Sequence, residues 1–180
     1  MASQTSILGA AGEYFVLSSL LRRGYIAALA PQGVPNTDIV VSDLNGDRLC
    51  AIQVKTRREI GSDGGWHMSE KHEKISSKNL FYAFVDFGRS ENDPPKSFIL
   101  PSKKVCAVLS TSHKAWLARP GRNGQPHHDT KMRRFLPNYR IIFGETKNPY
   151  PEGWLNKYKE NWDQLSLVPQ KQLLKSDTSD

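Results

Sequence analysis

Four polar side chains in the first third of this 180-residue chain are of types that could act together: Glu13, Asp38, Gln53 and Lys55. Carboxylate and amide oxygens are the ligands that hard divalent cations prefer, and a lysine ammonium is a suitable partner for a carboxylate or for an anionic ligand. These residues are far apart along the chain. The elements that carry them must therefore bring them together.

A β-hairpin is predicted where β-like runs at 38–43 and 48–55 flank the segment Leu44-Asn45-Gly46-Asp47. An Asn-Gly pair in this setting favours a two-residue type I′ turn, because that turn needs positive φ at both central positions. Counting outward from the Asn-Gly pair places Asp38 directly opposite Gln53, with their Cβ atoms about 4.5–5.5 Å apart. The hairpin therefore predicts that the acid and the amide meet.

Lys55 is predicted to project beside this pair, because residues two apart on a strand share a face. Asp38, Gln53 and Lys55 then form the polar end of two strands whose other residues are nearly all apolar, a pattern typical of strands buried on both sides. An acid, an amide and an amine in such a place are expected to serve each other or a ligand. Two interpretations follow: a structural Asp–Lys pair at a strand end, or a binding site.

Glu13 belongs to a helix predicted over residues 6–23, in which it lies at the edge of the apolar stripe. Gly9 and Gly12 remove side chains from this helix and would let it lie close against a sheet. A buried carboxylate here needs a partner, which a cation near Asp38 or the lysine ammonium would supply. The alternative is that Glu13 lies at the solvent boundary.

The rest of the chain predicts one domain over residues 1–165, followed by a flexible tail at 166–180. Residues 61–79 are predicted as a long loop with a helical turn. The further predicted elements are an apolar segment at Tyr25–Leu29, strands at Leu80–Phe87 and Ser97–Leu100, one or two short helices over 105–117, a strand at Tyr139–Phe143 and a helical pattern over Gly153–Leu165.

The composition is that of a soluble globular protein, with 38% hydrophobic and 24% charged residues. The sequence indicates no signal peptide, membrane span or anchor. Cys50 and Cys106 lie in apolar stretches without disulfide or zinc spacing, which predicts reduced thiols in a cytosol-like, cytoplasmic compartment. The net charge of +7 and the pI near 9.5 would attract a polyanion such as nucleic acid or an anionic membrane.

Two groups of basic residues could contact such a polyanion. Arg57 and Arg58 continue the second hairpin strand toward a loop and could meet phosphates, although an ordinary solvated strand end also explains them. The second group lies in a polar, glycine-containing segment and could form a mobile basic loop: Arg119, Arg122, Lys131, Arg133 and Arg134. The alternative for this segment is a solvated charged face.

The order of these motifs resembles the PD-(D/E)XK nuclease superfamily, in its Holliday-junction-resolvase-like and small homing-endonuclease-like branches. The matching residues are Gly12-Glu13 in a first helix, Thr37-Asp38 opening a strand and Gln53-Val54-Lys55-Thr56 ending the next. The likeness spans roughly residues 6 to 87. It implies an α/β fold with a restriction-endonuclease-like core, in which helices flank a mixed β-sheet in the order αβββαβ.

The resemblance also implies a function, a metal-dependent endonuclease that hydrolyses DNA phosphodiester bonds as a homodimer or higher homo-oligomer. Asp38 and Gln53, with Glu13 directly or through water, would hold Mg²⁺, for which Mn²⁺ could substitute, and no organic cofactor is implied. Lys55 would orient or activate the attacking water. Gln53 stands where an acid is commoner and should weaken metal binding, so the alternatives are a catalytically inactive DNA-binding or interaction module and a purely structural polar cluster.

Overall fold

The computed structural model describes residues 4–43, 45–46, 48–59, 64–121 and 123–167. The α-helices are α1 (Gln4–Arg22), α2 (Ser102–Leu117) and α3 (Arg140–Phe143). The strands are β1 (Ile26–Leu29), β2 (Ile39–Ser42), β3 (Leu49–Arg57), β4 (Trp66–Ser69), β5 (Leu80–Asp86), β6 (Lys96–Pro101) and β7 (Met132–Phe135). Single 3-10 turns occur at Glu70–Glu73, Asn156–Tyr158 and Trp162–Leu165.

A mixed sheet in the order β1-β2-β3-β5-β6 forms the centre of the fold, and β4 pairs with β7 in a separate two-stranded sheet. Only β3 and β5 run parallel among the paired strands described; the other pairs are antiparallel. The connection between two parallel strands must cross the sheet, and here β4 and the 70–73 turn make it. The predicted mixed α/β fold is confirmed, with a 3-10 turn in place of the helix expected between β3 and β5.

Helix α1 packs on one face of the sheet. Val16 and Leu20 are fully buried against Ile52 and the other inward residues of β2 and β3. At Gly12 the helix lies so close to β3 that a Cβ would come within 1.9 Å of Thr56 Oγ1. The close approach predicted for Gly12 is therefore confirmed, whereas a Cβ at Gly9 would meet nothing within 4 Å.

The opposite face of β5 and β6 is covered by α2, the β4–β7 sheet and the aromatic residues around Trp154. Trp66 anchors this layer, because its indole N–H donates to the Val85 carbonyl at 2.8 Å while its side chain is fully buried. Phe84 and Phe135 stack with centroids 4.0 Å apart. This layer covers one half of the sheet and leaves the polar end of β3 beside the 70–73 turn.

Several sequence predictions differ from the structure. Residues 66–69, predicted as loop, form β4, because Trp66 and Met68 point inward from a two-residue alternation that the neighbouring glycines obscured. Tyr139–Phe143, predicted as a strand, is helical, since Ile142 and Phe143 both donate backbone hydrogen bonds to the Tyr139 carbonyl. The helical pattern at 153–165 resolves into two 3-10 turns.

The extent of α2 and the start of the C-terminal tail also differ from the predictions. Helix α2 is one continuous element rather than two. Leu167, expected in the tail, is buried in the core beside α1, and residues 168–180 lie outside the described part of the chain. None of the helices in the described residues has the length and apolar character needed to cross a membrane.

Candidate active site

The predicted hairpin register is confirmed. Ile39 pairs with Ile52 and Val40 with Ala51, and the Asp38 N–H donates to the Ile52 carbonyl at 2.9 Å. Leu44 and Asp47 lie outside the described residues, so the predicted type I′ turn is not described. The observed pairing runs from Ser42–Leu49 to Ile39–Ile52, and Asp38 follows directly at its end, where its side chain reaches that of Gln53.

Asp38 and Gln53 are hydrogen-bonded to each other. One carboxylate oxygen, Asp38 Oδ2, accepts from Gln53 Nε2 at 2.6 Å and from the Val54 backbone N–H at 2.6 Å. Gln53 is 7% exposed. Two donors thus hold one oxygen of the carboxylate at the end of the sheet, and within the described chain Asp38 Oδ1 accepts no hydrogen bond from protein.

Glu13 reaches this site from α1, immediately beside the Gly12–Thr56 contact. It is half-buried, and burial raises the pKa of its carboxyl; the negative charge of Asp38 raises that pKa further, whereas Lys55 lowers it. The neighbouring carboxylates therefore repel each other. A cation is the group that would relieve this repulsion.

Lys55 completes the cluster from β3. Burial lowers the pKa of its ammonium, while the carboxylates of Asp38 and Glu13 raise it and the ammonium of Lys71 lowers it. The ammonium is thus held between two acids in a partly dry environment, where a charge interacts more strongly than in water. The four side chains predicted from sequence lie in one electrostatic cluster.

The donor set fits a hard divalent cation: carboxylate oxygens from Asp38 and Glu13 and the amide oxygen of Gln53. Within the described residues no three His, Cys, Asp or Glu side chains come together as a metal cluster. With an amide at Gln53, the set contains two carboxylates. The set is chemically suitable but carries one negative charge fewer than three acids would.

Sequence reasoning missed three neighbours of this cluster, of which two enter it from the crossover that was predicted as loop and the third lies on β5. Lys71 and His72 lie in the 70–73 turn, and Tyr82 pairs with Gln53 across β3 and β5. His72 Nδ1 and the Tyr82 hydroxyl share a hydrogen bond of 2.7 Å. A residue alternation at 66–69 would have been the available signal for a structured crossover.

Two of the predicted phosphate-contacting arginines are structural instead. The Arg57 guanidinium is buried in an ion pair with Asp86 at 2.6 Å and lies 4.1 Å from the centroid of the Trp66 ring. Arg133 is 5% exposed and bonds Glu73 Oε1 through Nε at 2.6 Å. Arginines tied up in this way are not available to a polyanion, and the predictions for Arg57 and Arg133 are wrong.

The other basic residues that were predicted to contact a polyanion differ in how exposed they are and in what they bind. The segment predicted as a mobile basic loop ends in β7, whose pairing with β4 fixes it. Arg119 donates to the carbonyls of Ile141 and Ile142, and Arg134 to the His67 ring. Arg58 is partly exposed near Glu91, Lys131 is exposed, and Arg122 lies outside the described residues.

A histidine in this region provides a pH-dependent prediction. Burial, with smaller contributions from Lys55 and Lys71, lowers the pKa of His72 from 6.5 to about 4. Below pH 6.5 the unfolded chain binds a proton that the folded protein excludes, so we expect the free energy of unfolding to fall by about 3 kcal/mol between pH 7 and 4. Urea titrations at each pH measure this.

Two variants distinguish the contribution of His72 to this pH dependence from the contributions of other titrating groups. In His72→Gln the uncharged amide can still hydrogen-bond to the Tyr82 hydroxyl, and this part of the pH dependence should disappear. His67→Gln changes an exposed histidine and should keep it. Equal pH dependence in the wild type and His72→Gln would contradict the assignment.

Comparison with solved structures shows the class of fold. The chain has a restriction-endonuclease-like fold and is similar to a bacterial homing endonuclease, I-Ssp6803I, with 17% sequence identity and a TM-score of 0.51 over 99% of this chain and 100% of the other. It is also similar to Archaeoglobus fulgidus Hjc, a Holliday junction resolvase, with 16% identity and a TM-score of 0.46 over 90% and 98% of the two chains. No family model and no curated protein matches the sequence.

Proposed function

We propose that this protein is a metal-dependent endonuclease that hydrolyses phosphodiester bonds in DNA. The observation that carries the proposal is the convergence of Asp38, Gln53 and Lys55 at one end of the hairpin, with Glu13 brought alongside by α1. The solved homing endonuclease with the same fold and the basic net charge of +7 support it.

Asp38, Glu13 and the amide oxygen of Gln53 would hold the divalent cation, Mg²⁺ or Mn²⁺. When bound, such a cation polarises the phosphate and makes water a better nucleophile at neutral pH. Gln53 must present its oxygen to do this, while its nitrogen remains bonded to Asp38 Oδ2. Since that contact fixes the amide, the carbonyl oxygen points away from Asp38 Oδ2.

Lys55 acts on the substrate side of the cluster. The oxygen of water attacks phosphorus, the bond from phosphorus to the leaving oxygen breaks, and the proton that the water loses is balanced by the proton that the leaving oxygen takes up from solvent. Lys55 orients the water and stabilises the negative charge that develops on the phosphate. Asp38 and Glu13 keep its ammonium in place, because each attracts it from its own element.

The test is cleavage of plasmid and branched DNA by purified protein with Mg²⁺, Mn²⁺ or EDTA. The wild type should cut with metal and not with EDTA. Asp38→Asn, which has the same shape but no charge, should lose activity and keep its fold. Cleavage that persists in EDTA, or in Asp38→Asn at the wild-type rate, would contradict the mechanism.

A catalytically inactive DNA-binding module is the second candidate. Gln53 favours it, because the amide lowers the negative charge of the metal site and donates its hydrogen bond to Asp38. Such a protein would bind DNA with a strong salt dependence that survives the loss of Asp38 or Lys55. The cleavage assay separates it from the enzyme, since it would cut none of the substrates.

Gln53→Glu should increase metal affinity. A third carboxylate beside Asp38 and Glu13 adds a charged oxygen ligand, so we expect Mg²⁺ to bind roughly tenfold more tightly, equivalent to about 1.4 kcal/mol. Without metal, the new repulsion from Asp38 should lower stability at pH 7 and not at pH 4. Isothermal titration with Mg²⁺ and thermal melts with EDTA measure both effects, and unchanged affinity would argue against Gln53 as a ligand.

We also propose a homodimer, in which two sites address two DNA strands, and a cytoplasmic location. The described Cys50 and Cys106 are free thiols, which suits a reducing compartment. Light scattering after size-exclusion chromatography tests the dimer. A monomer at micromolar concentration that cuts both strands would contradict it.

A further inference from the structure

The 3-10 turn at Glu70–Glu73 places an exposed lysine, Lys71, beside the candidate site. The next residue, His72, is buried and hydrogen-bonded to Tyr82, whose strand partner is Gln53. Paired residues of neighbouring strands share a face of the sheet. The turn therefore lies on the same face of the sheet as Gln53.

The remaining contacts of the turn keep it rigid. Glu73 accepts a hydrogen bond from Arg133 Nε at 2.6 Å, and both side chains are largely buried. The Glu70 N–H donates to the Lys131 carbonyl at 2.9 Å. Residues on both sides of Lys71 are thus fixed to β7 or to the residue before it, and the lysine itself is left to solvent.

Lys71 lies near enough to Lys55 for the two ammonium groups to repel each other. Its charge is felt at Lys55 and at His72, where it disfavours the protonated forms. Among the described residues Lys71 takes part in no ion pair. Lys55 has the carboxylates of Asp38 and Glu13 beside it, whereas Lys71 has no ion-pair partner among the described residues, so an anion bound at Lys71 would relieve the repulsion between the two ammonium groups.

We propose that Lys71 binds a DNA backbone phosphate next to the one engaged by Lys55, so that the 70–73 turn positions the strand to be cut. This rests on the proposed function for the identity of the ligand. A lysine is a point charge with three donors, which suits backbone phosphate and carries no base specificity. The contact replaces those predicted for the buried Arg57 and Arg133.

The test compares Lys71→Gln with Lys78→Gln. Lys78 is also exposed, but it precedes β5 and therefore lies at the opposite end of the parallel β3–β5 pair from Lys55. Both variants lose one charge. DNA affinity is measured by fluorescence anisotropy in EDTA, on duplex and branched DNA, from 50 to 200 mM salt, after circular dichroism has verified the fold.

Loss of one phosphate contact should reduce the slope of log K against log[salt] by about 0.9 and weaken binding by roughly tenfold near 0.1 M salt. Lys71→Gln should show both effects equally on all sequences, whereas Lys78→Gln should retain the wild-type slope. In cleavage assays with Mg²⁺, Lys71→Gln should raise KM and change kcat by less than about threefold.

The outcomes distinguish this inference from the proposed nuclease activity. Wild-type affinity and slope in Lys71→Gln would overturn the inference, even in a protein that cuts DNA. A fall in kcat with unchanged KM would also overturn it, because Lys71 would then act through Lys55. A wild type that binds but never cuts, with a reduced slope in Lys71→Gln, would refute the nuclease and uphold the phosphate contact; no DNA binding at all would refute both.

Discussion

Replacing Lys55 by alanine is expected to reduce metal-dependent DNA cleavage by about a thousandfold while the protein stays folded. The ammonium is the only cation on β3 that faces both Asp38 and Glu13 among the described residues. Without it, nothing on that strand stabilises the charge that develops on the phosphate. Single-turnover cleavage with Mg²⁺ measures the effect.

The loss should be specific to the chemical step. Burial of the ammonium already costs free energy, so its removal is not expected to lower stability by more than about 1 kcal/mol. DNA binding in EDTA should fall by no more than the loss of one phosphate contact. Lys78→Ala serves as the control with the same change in charge and should cut normally. A Lys55→Ala protein that cuts at the wild-type rate, or that no longer folds, would refute the assigned role.

Gly12→Ala is expected to destabilise the protein by about 3 kcal/mol. The new methyl group would lie 1.9 Å from Thr56 Oγ1, 3.0 Å from its Cβ and 3.1 Å from its Cγ2. Rotation of the threonine side chain can move Oγ1 but not Cβ, so a tight contact with the rest of the side chain remains. Helix α1 must therefore move away from β3, and urea unfolding measures the cost.

Gly9→Ala is the matched control on the same helix. Its Cβ would meet nothing within 4 Å, so the better helix propensity of alanine should stabilise the protein by up to about 1 kcal/mol. Adding Thr56→Ala to Gly12→Ala removes Oγ1 and Cγ2 and should recover part of the loss. If the two glycine variants were equally stable, the close approach at Gly12 would be wrong.

Gly12→Ala also tests whether the packing of α1 positions Glu13 in the candidate site. Glu13 follows Gly12 directly, so a helix pushed off β3 carries the Glu13 carboxylate away from Asp38. Gly12→Ala should therefore lose cleavage activity even at temperatures where it remains folded. Normal cleavage by folded Gly12→Ala would indicate that the position of Glu13 does not matter.

Local chemistry explains which parts of the site could be predicted. The Asn-Gly pair between two β-like runs indicates the register, which is a short-range property, so the meeting of Asp38 with Gln53 was predicted from the sequence. Helical spacing likewise located Glu13 near the apolar stripe of α1. The crossover from β3 to β5 was missed, because residues 66–69 form a strand only where β7 supplies a partner.

The basic residues show the limit of sequence reasoning most clearly. In the sequence, Arg57, Arg133 and Lys71 are equivalent cations. In the folded protein, Asp86 and Glu73 neutralise the two arginines in the interior, and only the lysine remains exposed beside the site. Their partners lie 29 and 60 residues away in the sequence. Local sequence patterns cannot predict ion pairs between residues so far apart.

The sequence by itself determined the hairpin, its register and the apolar face of α1, because each depends on neighbouring residues or on a short repeat, and the order of its motifs implied the mixed α/β class through the resemblance. The tertiary structure alone decided how closely α1 approaches β3, which arginines are buried, and that the 70–73 turn brings Lys71 to the site. These features depend on packing and ion pairing between side chains that are distant in sequence, and those contacts exist only in the folded chain.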